Sequence, residues 1–170
     1  MVTDQPVERV ERELPEFAGP YHPESAAEHL VTAVPVGRPA QLVGEVLEQF
    51  ARREYDALEA VYVLDDGGRL LGAVRLADLH RAAPDRALGE IMDRGYPCVG
   101  SHYDQEHVAA EALRARASSV AVVDEKQRLI GVVASLSLLE ILRREHVEDL
   151  YRLAGITREQ SRDRSALEAP

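Results

Sequence analysis

Residues 61–74 read VYVLDDGGRLLGAV, and a stretch of the same pattern, VAVVDEKQRLIGVV, follows at residues 120–133. At an offset of 59 residues, seven of the fourteen aligned pairs are identical, where about one identity is expected from ordinary residue frequencies. Each stretch has two apolar runs around a short polar segment that begins with Asp, which is typical of a β-hairpin. The repeat predicts two copies of one small structural unit.

The elements around the two hairpins also recur in the same order. In the first copy, an extended piece at residues 30–34 precedes an amphipathic helix at 40–54, whose apolar residues have i, i+3, i+4 spacing. In the second copy, the extended piece is 97–99 and the helix is 105–116, with Asp104 as its N-cap. A further helix follows each hairpin, so the fold class is α/β.

Glycine stands at the same late position of both hairpins, as Gly72 and Gly131. Glycine weakens the interior of a strand, so its repetition predicts a bulge or a close approach of another backbone. A packing constraint where strands cross is the alternative. One copy cannot cover both faces of its sheet, and two copies packed sheet to sheet would share one core.

Composition excludes several classes of function. The chain has 170 residues and a net charge of −10, which disfavours a nucleic-acid partner because phosphate binding needs a basic surface. No stretch approaches 18 consecutive apolar residues, so we expect no membrane span within it. The single cysteine, Cys98, lies in an apolar run, and we expect it to be a small buried hydrophobic residue.

The sequence carries no catalytic signature. None of the six histidines has the spacing of a metalloprotease motif, and neither a nucleophile elbow nor a glycine-rich phosphate loop is present. His146 falls in line with the leucines of the last helix, so we expect it to be packed and partly covered. The sequence therefore predicts that the chain is not an enzyme.

The tandem hairpin pattern resembles that of a pair of cystathionine-β-synthase (CBS) domains over residues 28–145. Three further stretches resemble the cytosolic CBS region of MgtE-type magnesium transporters: DQEHVA at 104–109, EHVEDLYRLAGI at 145–156 and GEIM at 89–92. The resemblance implies two tandem CBS units packed by pseudo-twofold symmetry, a homodimer and a cytoplasmic location. It also implies a transmembrane transporter domain as partner, if the natural chain continues past Pro170.

These observations divide the chain into four parts. Residues 1–24 form a polar N-terminal arm, mobile or containing a short helix, and 25–87 form the first CBS unit. Residues 88–145 form the second unit, and 146–170 form the exit helix and a polar tail.

The resemblance implies that the acids near the exit helix help to hold Mg²⁺. Glu145, Glu148 and Asp149 have i, i+3 and i+4 spacing and therefore share a helix face, and Mg²⁺ prefers carboxylate oxygens. Glu140 stands where the family carries a further acid, whereas Ser137 replaces another, so we expect a weaker site. A solvated helix face beside neighbouring arginines is the alternative.

The resemblance also implies an adenine-nucleotide site, for ATP or a related ligand. The family motif G-h-x-[ST]-x-x-D corresponds to residues 72–78, which retain Gly72 and Asp78 and place Arg75 at the Ser/Thr position. Asp78 would accept from ribose hydroxyls and Arg75 would meet a phosphate. A favourable charge at a helix N-terminus is the alternative role for Asp78.

Two functional hypotheses follow. The first is a cytosolic regulatory region of an MgtE-like transporter of magnesium or another divalent cation, which senses intracellular Mg²⁺ and gates transport. The second is a stand-alone CBS protein that senses adenine nucleotides and has no role in transport.

Overall fold

The fold was determined as a computed structural model that describes residues 8–9 and 25–153, with the side chains of the last helix described to Arg144 and at His146 and Val147. The elements in chain order are β1 Glu8–Arg9, a 3-10 helix Ala26–His29, β2 Val36–Gly37, α1 Val43–Phe50, β3 Arg53–Glu54, β4 Ala60–Leu64, β5 Leu70–Arg75, α2 Leu76–Arg81, α3 Leu88–Ile91, β6 Cys98–Gly100, α4 Gln105–Ala115, β7 Val120–Val123, β8 Leu129–Val133 and α5 Ser135–Leu153.

Two three-stranded sheets of identical topology confirm the repeat. One sheet has the order β2-β4-β5 and the other β6-β7-β8. In each, the first pair is parallel and the second, the hairpin, is antiparallel. A third, two-stranded sheet joins β1 and β3 in parallel.

The two hairpin turns have the same geometry although their sequences differ. The Asp65 Oδ1 accepts from the backbone N–H groups two and four residues later, at 2.9 and 2.8 Å. Asp124 Oδ1 does the same at 2.9 and 2.8 Å. Gly68 and Gln127, again 59 positions apart, both have positive φ, at 79° and 62°. The aspartate fixes each turn by an Asx-type cap, and the left-handed position is tolerated by Gln127.

The copies share one core and each keeps a second core of its own. Alternate side chains of the central strand β4 face opposite ways: Tyr62 points into a core that also contains Ala121 and Leu129 of the second copy, whereas Val61 and Val63 pack against the helices of the first copy. The second copy has the corresponding helix-facing core. Because both faces are buried, β4 and β7 are apolar along their whole length.

The segments that lead into each copy pack against the other copy. Val31 exchanges backbone hydrogen bonds with Val132 of β8, at 2.8 and 2.9 Å, and Ala73 of β5 does so with Asp93, at 3.1 and 2.8 Å. This exchange explains the repeated glycine. A Cβ atom at Gly72 would lie 2.6 Å from the Asp93 carbonyl oxygen, and the hairpin register shifts by one residue next to the Val63–Gly72 pair. The repeated glycine predicted a bulge or a close approach of another backbone, and the structure has both features.

Several local expectations from sequence were wrong. The first extended piece is β2, which follows Pro35 rather than spanning 30–34, and helix α1 is shorter than 40–54. At residues 8–9 the arm is a strand, and its other residues lie outside the described part. Cys98 is exposed because β6 turns Val99, its neighbour, into the core. His146 is exposed rather than partly covered, since no described element packs over that side of α5.

Candidate functional site between the two copies

The predicted nucleotide residues lie at the junction of β5 and α2. Arg75 ends β5 and precedes the first residue of α2, and Asp78 lies in the first turn of that helix. Asp78 is exposed and accepts from Arg81 Nη1 at 3.0 Å. Its position fits both roles considered above, a ribose ligand and a charge that complements the helix dipole.

Arg75 faces a different set of groups from Asp78. Its guanidinium lies 3.6 Å from Asp93 Oδ2 and 5.9 Å from the centroid of the Tyr96 ring. Gly72 is buried beneath the backbone of the same segment. The structure therefore brings Gly72 and Arg75 together around Asp93, while Asp78 pairs along its own helix. Both charged groups of the Arg75–Asp93 pair are 43% exposed, so the pair adds little stability.

A chain of three buried hydroxyl groups links the two copies beside this junction. Ser119 Oγ lies 2.8 Å from Tyr62 Oη and 2.7 Å from Tyr96 Oη, and the two tyrosine rings meet edge to face at 5.8 Å. Burial raises the pKa of both tyrosines, so the hydroxyls stay protonated at neutral pH. This polar group inside the shared core was not foreseen, although Tyr62 interrupts an otherwise aliphatic strand.

Glu59 is a second group that sequence reasoning missed. Its backbone carbonyl accepts from Leu76 N, the first residue of α2, at 3.0 Å. Its Oε1 accepts from Ser135 N at 3.2 Å and from Ser135 Oγ at 2.9 Å, at the first residue of α5. Glu59 thus contacts the start of one helix in each copy.

The acidic positions 145, 148 and 149 all lie within α5, as the spacing predicts. At 100° per residue, Glu140 lies about 140° around the helix from Glu145, so it belongs to a different part of the helix surface. Glu140 is exposed. Carboxylates are the donor type that a hard divalent cation prefers. Within the described residues, no three potential metal ligands converge.

An apolar surface covers the outer side of α4 and α5. Leu136, Leu139 and Leu113 are 77%, 65% and 64% exposed, and Leu142 is 37% exposed. Leu113, Leu139 and Leu142 line a groove of about 350 Å³, together with Ala109 and Ala112. We call this the leucine face. An exposed apolar patch of this kind marks an interaction surface.

A family model described as "CBS domain" matches residues 29–85 and again residues 88–144. The chain belongs to the CBS domain family. Its two CBS domains coincide with the two sheets and their helices, so the sequence repeat, the fold and the family model agree.

The two CBS domains are similar to parts of known magnesium transporters. The chain is 36% identical over 121 residues to the magnesium transporter MgtE of Thermus thermophilus, covering 70% of this chain and 27% of that protein. The crystal structure of the cytosolic domain of the Mg²⁺ channel MgtE in complex with ATP matches with a TM-score of 0.62 and 32% identity, over 69% of this chain and 49% of that one.

A second solved structure, the soluble part of a magnesium transporter, matches with a TM-score of 0.68 and 26% identity, over 74% of this chain and 50% of that one. The CBS pair is therefore of the kind found in the cytosolic region of MgtE. The chain spans about a quarter of the full-length relative. Among the described residues, none of the helices combines the length and apolar character of a bilayer-spanning segment.

Proposed function

We propose that this CBS pair is the cytosolic regulatory region of an MgtE-like transporter of magnesium or another divalent cation, and that it senses Mg²⁺ rather than catalysing a reaction. The observation that carries the proposal is the 36% identity to the Thermus magnesium transporter, which extends over both CBS domains. A cytoplasmic location and a transmembrane partner domain follow from the same relationship.

The acids of α5 supply the proposed sensing mechanism. Like charges one helical turn apart repel each other, so Glu145, Glu148 and Asp149 destabilise any arrangement that brings further acids close to them. A bound divalent cation would neutralise that repulsion. A ligand shifts a conformational equilibrium only through its different affinity for the two states, so the acids must approach neighbouring acids more closely in the Mg²⁺-bound state.

Calorimetric titration of the chain with MgCl₂ tests the assignment of the acids. We expect saturable heat from the wild type, with at least a tenfold loss of affinity in Glu148→Gln, which removes one carboxylate ligand. The matched control is Glu48→Gln on α1, an exposed acid of the first copy, which should titrate like the wild type. Heat that is the same in all three proteins would refute the assignment.

We also propose that the leucine face joins two copies of the chain in a homodimer. Leu136 and Leu139 project from α5, and Leu139 lines a groove that also contains the small residues Ala109 and Ala112, so a twofold axis would set the ridge of one copy into the groove of the other. Both signs of charge occur here, since Arg116 lines the groove and Arg114 pairs with Glu111 on the same helix. Such a mixture of charges limits repulsion between identical acidic chains.

The second candidate function is adenine-nucleotide binding, and the arrangement of Arg75 and Asp78 around the start of α2 favours it. A cation for the phosphates and an acceptor for the ribose lie within one helical turn. The relative solved with ATP supports the same ligand class. ATP, ADP and AMP should each be tested for a rise in melting temperature, with Asp78→Ala as the variant expected to lose it. Failure of all three nucleotides in the wild type would eliminate this function.

A further inference from the structure

Neither of the two helices that follow the hairpins starts with a side-chain cap of its own. Arg75, the residue before α2, makes no side-chain capping bond. At the equivalent place in the second copy, Ala134 accepts from Leu138 N at 2.9 Å, which makes it the N-cap of α5, and alanine has no side-chain acceptor. The first N–H groups of both helices therefore need acceptors from elsewhere.

Glu59 provides an acceptor to both helices. Its backbone carbonyl serves Leu76 N of α2, and its carboxylate serves the backbone and hydroxyl of Ser135 in α5. The carboxylate bonds are charge-assisted, and a negative group at the N-terminus of a 19-residue helix is favoured by the helix dipole. The link is one-sided, because the position 59 residues later is Ser118, which carries no carboxylate.

The second carboxylate oxygen shows how Glu59 is held. Glu59 Oε2 is buried and makes no hydrogen bond within the described part of the chain. A buried acceptor without a partner is unfavourable. The carboxylate is held by its bonds to Ser135, whereas the backbone carbonyl of the same residue is bonded to Leu76 N. A displacement of the start of α5 therefore acts on the carboxylate directly, and a displacement of the start of α2 acts on it through the Glu59 backbone.

We propose that Glu59 is a positioning residue that couples the start of α5, the helix that leaves the CBS pair, to the start of α2, the helix that carries Asp78. The coupling goes beyond the proposed sensing role and requires no bound ligand. A shift of α2 moves Glu59 and so changes the cap of α5. A shift of α5 moves Glu59 in turn and so changes the acceptor of Leu76 N at the start of α2. The effect is confined to these two helix starts and does not depend on the α5 acids.

Amide hydrogen exchange measured by NMR on the whole chain tests the cap. We expect the Ser135 amide to exchange about tenfold faster in Glu59→Ala, because its acceptor is removed, with little change at Leu76, whose acceptor is the backbone carbonyl. Glu59→Asp should act like Glu59→Ala, since its carboxylate is one methylene short, and Glu59→Gln should retain most of the protection. The matched control is Glu90→Ala, which breaks an exposed ion pair with Arg86 in the first copy.

A pair of substitutions at Leu76 tests the coupling itself. Leu76→Pro removes the N–H that donates to Glu59 yet suits the first position of a helix, whereas Leu76→Ala removes the side chain and keeps the N–H. Coupling predicts that the Ser135 amide exchanges at least threefold faster in Leu76→Pro than in Leu76→Ala. Equal exchange in these two variants, or an unchanged Ser135 amide in both Glu59→Ala and Glu59→Asp, would overturn the proposal.

Discussion

The two copies keep the same hairpin but present different surfaces on the helices that follow it. In the first copy the exposed positions of α2 are occupied by Ala77 and His80. The equivalent positions of α5, 59 residues later, are Leu136 and Leu139, which are 77% and 65% exposed. The hairpins coincide at the valines that pack against each copy's own helices and at the residues of the turn, whereas the outer helix faces are free of these requirements.

The features that occur in both copies are those that the fold requires, and the features that occur in one copy only are candidates for function. The glycine recurs because the lead-in segment of the other copy approaches it closely, and the turn aspartate recurs because it fixes each hairpin. The repeated valines pack against the helices of their own copy. The leucine face, the acidic positions of α5 and the Glu59 cap of α5 have no counterpart in the first copy. The proposed regulatory role therefore depends on features of the second copy, whereas the folding constraints are present in both.

The largest effect is expected at the repeated glycine, where the copies should respond unequally. A Cβ at Gly72 would meet backbone at 2.6 Å, whereas a Cβ at Gly131 would first meet the movable side chain of Leu30 at 3.0 Å. We expect Gly72→Ala to lower the free energy of unfolding by about 3 kcal/mol and Gly131→Ala by about 1 kcal/mol. Urea denaturation measures the free energy of unfolding of both variants. Equal losses would contradict the closer approach of the backbone to Gly72.

The next effect concerns the leucine face. Leu139→Arg places a charge at the centre of the proposed dimer interface and should weaken dimerisation at least hundredfold, which is about 2.7 kcal/mol. His80→Arg makes the same change at the equivalent position of the first copy and should leave dimerisation unchanged. Sedimentation equilibrium measures both association constants. Dimerisation that survives Leu139→Arg would locate the interface elsewhere.

A smaller effect is expected from the buried hydroxyl chain. Tyr62→Phe removes a hydrogen bond to Ser119 and should cost about 1.5 kcal/mol at pH 7. Burial raises the pKa of Tyr62 in the folded state, so its contribution is complete below the unfolded pKa of about 10 and is lost as the pH rises above it.

Unfolding free energies measured between pH 8 and 11 check the sign of that dependence. The wild type should lose stability above about pH 10, and Tyr62→Phe should lose less over the same range. A steeper loss in the variant would contradict the assignment of Tyr62 as a buried neutral group.

The smallest effect distinguishes the two turn aspartates. Asp124 also accepts from the Arg128 side chain at 2.7 Å. Burial raises the pKa of Asp124, but the hydrogen bonds from Arg128 and Lys126 outweigh it and leave a lowered pKa. We expect Asp124→Asn to cost about 0.5 kcal/mol more than Asp65→Asn at pH 7.

A lowered folded-state pKa stabilises above the unfolded value and is lost as the pH falls through the folded one. The excess cost of Asp124→Asn should therefore vanish near pH 2. Thermal melts at both pH values measure it, and an excess that persists in acid would show that charge is not its source.

Sequence predicted the parts of this fold that depend on local pattern. The apolar runs and their Asp-led turns located both hairpins, and Asp104 was confirmed as an N-cap that accepts from His107 N at 2.7 Å. The helix α3, Leu88–Ile91, was missed because four residues show no periodicity. The exchange of lead-in segments was also missed, since no local pattern indicates which residues pair, and one pair, Val31 and Val132, lies about a hundred residues apart.

The residues of the candidate site were likewise predicted only in part from the sequence. The family motif placed Arg75 and Asp78 at the start of α2, where they are found, because the motif follows the hairpin at a fixed spacing. Glu59 was missed because its meaning depends on Ser135, 76 residues away. The metal assignment of Glu145, Glu148 and Asp149 remains a prediction that rests on their common helix face and on the resemblance.

Small-angle X-ray scattering of the chain with and without MgCl₂, at constant ionic strength, measures whether a divalent cation changes the conformation of the chain. If the acids of α5 form a switch that a divalent cation closes, the radius of gyration should fall on addition of Mg²⁺ in the wild type and stay constant in Glu148→Gln. Identical scattering curves for the wild type with and without Mg²⁺ would contradict the proposal that the acids of α5 form a switch.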